Sequence, residues 1–173
     1  MRDNKNIKME ESLKQILSHT LFGTPLEASI SDEANLIKEL EQQTVLSIIG
    51  KCIESLPFSD QAKQYCIRSS MGKYAFTHRL LYEQSLLIDL MKDNEIPMAI
   101  LKGSAAAINY PEPAYRTFGD VDFIVPETDF NRAYELMLEN GYVMCYDEAH
   151  VDYHYTLQKE DITFELHKRP AGL

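Results

Sequence analysis

The chain has 173 residues, of which 45% are hydrophobic and 25% charged, with only seven Gly and seven Pro. That composition describes one folded domain, or one domain with a helical extension, and excludes a disordered or fibrous chain. Lys and Arg number 17 against 27 Asp and Glu, a formal charge of −10, so no long nucleic acid is expected as a partner, although a local basic pocket for one nucleotide stays allowed.

Cys52, Cys66 and Cys145 have neither the spacing of a disulfide framework nor that of a zinc cage. No apolar signal core follows the polar N-terminus, and no run approaches the roughly 20 apolar residues of a membrane helix. The expected location is cytoplasmic, with no membrane partner.

Roughly the first half reads as helix. Leu13, Ile16, Leu17, Thr20 and Leu21 recur at helical spacing until Gly23-Thr24-Pro25 stops the segment. Ser31, followed by Asp32 and Glu33, supplies a cap and an acidic first turn to a second helix. This helix carries Leu36, Ile37, Leu40, Val45, Ile48, Ile49 and Ile53 and is expected to end near Leu56-Pro57. Ser59-Asp60 opens a third, running to about Asn94 with an apolar stripe through Ile67, Met71, Tyr74, Leu81, Leu87, Ile88 and Met91, and Gly72 as its one candidate break.

The texture changes at Ile96. Pro97 to Leu101 suits a buried strand, and Lys102-Gly103-Ser104 forms a tight turn into a helix start at Ala105-Ala106-Ala107. Asp120 to Val125 alternates as a strand with Asp120, Asp122 and Ile124 on one face and Val121, Phe123 and Val125 on the other. Thr128 to Asn140 is an amphipathic helix closed by Gly141, and Tyr142 to Tyr146 is a further strand.

Val151 to Gln158 and Ile162 to His167 form a hairpin. Tyr153, Tyr155 and Leu157 share the apolar face with Ile162, Phe164 and Leu166, which leaves His154 and Thr156 to meet Glu165 and His167 on the polar one. Matching faces sets Thr156 opposite Glu165 and His154 opposite His167, and this requires an even-numbered loop.

Asp120 and Asp122 at i and i+2 project to one side about 6 to 7 Å apart at Cα, a spacing that suits side chains holding divalent ions. Taken alone, Asp-x-Asp equally describes the solvated face of an edge strand. Here a Gly-Ser turn opening a helix precedes it, with Lys102 and Arg116 in the same span. Lys102 reads equally as an exposed strand-end lysine, Arg116 as a surface partner of Asp120 or Glu112, and Glu165 as a residue facing water. His150 and His154 stand four apart, about 13 Å on a strand, too far to share an ion. His154 and His167 could share one in the hairpin register, but without a cysteine beside them they read better as pocket lining than as a transition-metal site.

The ordered set Leu101-Lys102-Gly103-Ser104, Tyr110-Pro111, Arg116, Asp120-Val121-Asp122-Phe123-Ile124-Val125, Asn140-Gly141-Tyr142 and Phe164-Glu165-Leu166-His167 resembles the uncharacterised nucleotidyltransferase family, within the DNA polymerase beta-like nucleotidyltransferase superfamily. The resemblance covers nearly the whole chain. It implies an α/β (α+β) fold with a helical N-terminal region, 1–95, packed on a nucleotidyltransferase-type core, 96–173. That core holds a small mixed sheet flanked by helices, and the resemblance implies a C-terminal truncation, since family members generally continue further. It implies Asp120, Asp122 and Glu165 as catalytic, metal-binding carboxylates for two Mg²⁺ ions, and Lys102, Gly103, Ser104 and Arg116 as nucleotide-binding residues. The expected activity moves a nucleotidyl group from an NTP to an unidentified small-molecule or protein acceptor. The alternatives are an inactive nucleotide-binding or interaction module and the toxin of a toxin–antitoxin pair.

Overall fold

Residues 4–27, 30, 32–110, 112–145 and 154–169 are described by the computed structural model. The expectations for Ser31, Pro111, Tyr146, His150, Val151 and Tyr153 fall outside those residues. In chain order the elements are α1 (Asn4–Phe22), α2 (Glu33–Gln42), α3 (Asp60–Asp93), β1 (Ala99–Ile100), α4 (Gly103–Ala107), β2 (Asp120–Ile124), α5 (Phe130–Glu139), β3 (Val143–Met144), β4 (His154–Lys159) and β5 (Ile162–His167). The class is α+β, helices first and then a five-stranded mixed sheet. The chain forms two compact units, Met1–Thr77 with Asn109–Thr117, and His78–Ile108 with Phe118–Leu173.

In the first unit, Asp32 caps α2 by accepting from the Asn35 N–H at 3.3 Å. Ser59 caps α3, its hydroxyl accepting from the Ala62 N–H at 3.3 Å. Leu36, Ile37 and Leu40 of α2 join Ile16 of α1, Ile49, Ile53, Leu56, Phe58 and Cys66 in one apolar core. The second helix is shorter than its apolar spacing predicts. It ends at Gln42, and Ile48, Ile49 and Ile53 follow in 3₁₀ turns at Leu46–Lys51 and Ile53–Ser55.

The reason is a helix stop that contains no glycine. Thr44 sits at φ +56°, its N–H donates to the Glu41 carbonyl at 2.9 Å, and the Val45 N–H donates to the Leu40 carbonyl at 2.9 Å. These are the two bonds of a Schellman stop, with a threonine where glycine is usual. The end of α3 repeats the device, with Glu95 at φ +54° and the Ile96 N–H donating to the Met91 carbonyl at 2.9 Å. Between its ends α3 runs unbroken for 34 residues, through Gly72.

In the second unit the sheet order is β1-β2-β5-β4-β3, with β2 and β5 parallel and every other pair antiparallel. β1 is not the buried strand its apolar run predicts. Pro97 has no N–H to give a ladder, and only Ala99 and Ile100 pair, at the sheet edge with Ala99 exposed. The hairpin has the expected register, His154 opposite His167 and Thr156 opposite Glu165, around a two-residue loop of Glu160 and Asp161.

Alternation carries that register across three strands. Val121, Phe164 and Leu157 form one row, and Phe123, Leu166 and Tyr155 the next, on the apolar face. α5 lies against this face, the Phe130 and Tyr134 rings each 4.8 Å from that of Tyr155. The expected helix from Thr128 begins as a 3₁₀ turn at Glu127–Asp129. It stops at Gly141, φ +86°, through the Tyr142 N–H on the Met137 carbonyl at 3.1 Å.

Thr44 is exposed and carries left-handed strain, so Thr44→Gly stabilises the protein by about 1 kcal/mol even after the added freedom of the unfolded chain. Thermal unfolding should show this as a rise of about 2–4 °C in Tm; a fall would mean the stop is not strained. Cys66 is fully buried and burial pushes its thiol up to about 11, whereas Cys145 is exposed and Cys52 half-buried. A disulfide reagent at neutral pH should therefore titrate Cys145 first, Cys52 more slowly, and Cys66 only when denaturant is added.

Candidate functional site

The face of the sheet opposite α5 is polar because β2, β5 and β4 alternate in step. Asp122, Glu165 and Thr156 form its middle row, Ile124, His167 and His154 lie to one side, and Asp120, Thr163 and Gln158 to the other. β2 is flanked on both sides, by β1 and β5, so the two aspartates do not line an edge strand. Asp122 is 4% exposed and His167 2%.

Asp122 Oδ1 is the centre of the contacts. It accepts from Lys102 Nζ at 2.8 Å and lies 3.2 Å from His167 Nε2, which is also 3.3 Å from Glu165 Oε2. One donor atom from each of Asp122, Glu165 and His167 lies within 4.8 Å of the other two. The His154 and His167 rings stack with centroids 5.1 Å apart.

The charges in this cluster are unequal. Burial opposes ionisation of Asp122, but hydrogen bonds from Lys102 and Glu165, with the charge of Lys102, outweigh it and hold the carboxyl below its ordinary value. Glu165 moves the other way, raised first by burial and then by its hydrogen bond to Asp122 and the charge there. Asp122 is thus the ionised member of the pair and Glu165 the one that keeps a proton longer. Burial, followed by the charge of Asp122, also raises Asp120. Lys102 is raised chiefly by its hydrogen bond to Asp122.

Lys102 reaches the cluster from the turn between β1 and α4. It is the N-cap of α4 at φ +46°, ψ −130°, a region that glycine occupies far more readily than lysine. Its side chain remains 62% exposed. Gly103 opens α4, and a Cβ placed there meets only Phe118 and the Asp120 carbonyl at 3.6–3.7 Å, ordinary contact distance. Among the described residues nothing requires a glycine at that position. The Ser104 hydroxyl donates to Gln84 Oε1 of α3. Arg116 belongs to the first unit, where its guanidinium stands 5.8 Å from the centre of the Tyr110 ring.

Among the expected site residues, then, the sheet gathers Asp122, Glu165 and Lys102, with Asp120 on the same face. His167 does more than line a pocket, since it touches both carboxylates. Its alternation with Glu165 along β5 marks the shared face. Only the parallel pairing with β2, which no local pattern encodes, brings that face to Asp122. Gln84, which holds Ser104, lies within an ordinary helical stripe and has no motif around it.

Among the described residues no helix is long and apolar enough to cross a membrane. No curated protein and no solved structure matches the chain. Residues 30–172 match the protein family described as uncharacterised nucleotidyltransferase. That match spans the helices from α2 onward, the Lys-Gly turn, the paired aspartates and the Glu-x-His strand, and so the chain belongs to the uncharacterised nucleotidyltransferase family, as a transferase of nucleotidyl groups with an NTP as donor.

Proposed function

We propose that the polar sheet face is the transfer site, and that it works with Mg²⁺, two ions being expected, to move a nucleotidyl group from an NTP to a small-molecule or protein acceptor. The observation that carries this reading is the convergence of Asp122, Glu165 and His167 within 4.8 Å, beneath a lysine that opens the following helix. The donor set suits a divalent cation, with carboxylate oxygens predominating and one carboxyl held ionised.

Asp120, Asp122 and Glu165 would hold the metal. When bound, Mg²⁺ supplies charge to offset the triphosphate and lowers the pKa of the acceptor hydroxyl. The protein's own groups do the rest. Lys102, paired with Asp122 on a largely exposed stem, would offer its charge to a phosphate oxygen of the donor. Gly103 leaves the turn bare so that a phosphate approaches its backbone, and Ser104, fixed by Gln84, holds that turn in place. Catalysis is then electrostatic, with charge placed in advance around a charge-rich transition state. Glu165 lies against Asp122 instead of away from it, which supports turnover over an inactive nucleotide-binding module. The net charge of −10 supports an acceptor other than a long polyanion.

Asp122→Asn keeps the shape and removes the charge. It should weaken Mg²⁺-dependent NTP binding and lower transfer of an α-phosphate label by about 100-fold or more, while the exposed Glu139→Gln changes neither. Unaltered Mg-NTP binding and turnover in Asp122→Asn would place the chemistry elsewhere. Gly103→Ala should fold at least as stably as the parent, because the added methyl meets no clash and favours the helix. It should nevertheless bind NTP about tenfold more weakly, about 1.4 kcal/mol. Calorimetric titration with Mg-NTP alongside a melting curve separates the two effects.

A further inference from the structure

We propose that His167 is a direct metal ligand through Nε2, so that the site is a two-carboxylate, one-imidazole site preferring Mn²⁺-class transition-metal ions to Mg²⁺. This rests on the reading of the polar face as a metal-dependent transfer site and departs from it in the ion preferred and in adding His167 to the side chains that hold it.

The geometry favours ligation with little movement of the three donor side chains, Lys102 alone giving up Asp122 Oδ1. In an octahedral complex with metal–ligand bonds near 2.1 Å, adjacent ligand atoms lie about 3.0 Å apart. His167 Nε2 already stands 3.2 Å from Asp122 Oδ1 and 3.3 Å from Glu165 Oε2. An ion seated among the three would find two of its ligand pairs within a few tenths of an ångström of that spacing and the third pair within 4.8 Å. The backbone makes the same point, since β2 and β5 pair Asp122 with Glu165 and Ile124 with His167, which sets the imidazole one row along the carboxylate face. Asp120 is absent from the trio that meets within 4.8 Å. At 2% exposure the imidazole is held by the core and by the His154 ring stacked on it, so its aim is fixed by packing.

The chemistry then separates the ions. Mg²⁺ is a hard cation that takes oxygen donors and retains its waters, whereas an imidazole nitrogen is a good ligand for first-row transition metals. Exchanging one oxygen for nitrogen therefore lowers the relative affinity for Mg²⁺ and raises that for Mn²⁺, Fe²⁺ and Co²⁺.

The test uses chelator-stripped protein, Mn²⁺ alone, and pulsed electron paramagnetic resonance. Bound Mn²⁺ should show the ¹⁴N modulation of a directly ligated imidazole, replaced by the ¹⁵N pattern in protein grown on ¹⁵N-histidine. The modulation should survive His154→Gln and vanish in His167→Gln, which offers an amide oxygen at the Nε2 position. His167→Gln should also reduce the Mn²⁺-to-Mg²⁺ affinity ratio in competition by about tenfold. Mn²⁺ that binds, is lost in Asp122→Asn, and shows no nitrogen modulation overturns the ligand assignment while sparing the site. Mn²⁺ binding unchanged in Asp122→Asn overturns both. The ¹⁵N-labelled parent protein reports nitrogen ligation or its absence even where His167→Gln does not fold.

Discussion

A carboxylate with 4% of its surface in reach of solvent needs positive charge and hydrogen-bond donors around it, and Asp122 sits in that position on an inner strand. The rest of the site follows from this requirement. Lys102 supplies the charge from one side, while Glu165 and His167 supply contacts from the neighbouring strand. Glu165 keeps its proton more readily than an exposed glutamate because burial penalises its charged form and Asp122 has already taken the negative charge. A bound dication would replace this arrangement with a stronger one, freeing the lysine and the glutamate proton together.

The cation that answers Asp122 is held at a conformational disadvantage. Lys102 occupies a positive-φ position that a glycine fills without strain, and such a conformation costs on the order of 1–3 kcal/mol. Thr44 and Glu95 carry similar angles at helix ends, where each N–H still finds a carbonyl, and Glu160 carries one in the β4–β5 turn. At Lys102 the same backbone state directs an ammonium group to the carboxylate. It also leaves Gly103, which no internal contact demands, as the first residue of the next helix. A lysine in the strained position followed by a glycine in an unstrained one is the reverse of what stability alone would select.

Much of this is legible in the residues, and the division has a physical basis. The hairpin register follows from alternation, because a slip by one residue would put His154 against Leu166 and expose Phe164. The faces of β2 follow in the same way, and the start at Ser59 and the stop at Gly141 are marked by their residues, whereas α2 is capped by Asp32, one residue after the serine expected to cap it. The stop of α2 is hidden because a threonine plays the part of the glycine while the apolar spacing runs on through Ile53. The edge position of β1 is hidden because an apolar run does not state how many neighbours it has. The site is legible as a set of side chains but not as a cluster. Its assembly depends on a parallel pairing between Asp122 and Glu165, 43 positions apart in the chain.

That pairing ties the site to the core more tightly than a loop-borne site would be tied. The strands that present Asp122, Glu165 and His167 on one face present Val121, Phe123, Phe164 and Leu166 on the other. Because the side-chain period of a strand is two, the register that packs the aromatic rows also sets the spacing of the carboxylate and imidazole atoms. The site therefore has no intermediate geometry available to it. A shift of one residue in β5 would bury Glu165 against α5 and turn Phe164 toward the lysine, losing core and site at once. Tuning must then come through the two parts that the register leaves free, the exposed stem of Lys102 and the bare backbone of Gly103. The strands hold the carboxylates and the imidazole, and the turn after β1 meets whatever arrives from solution.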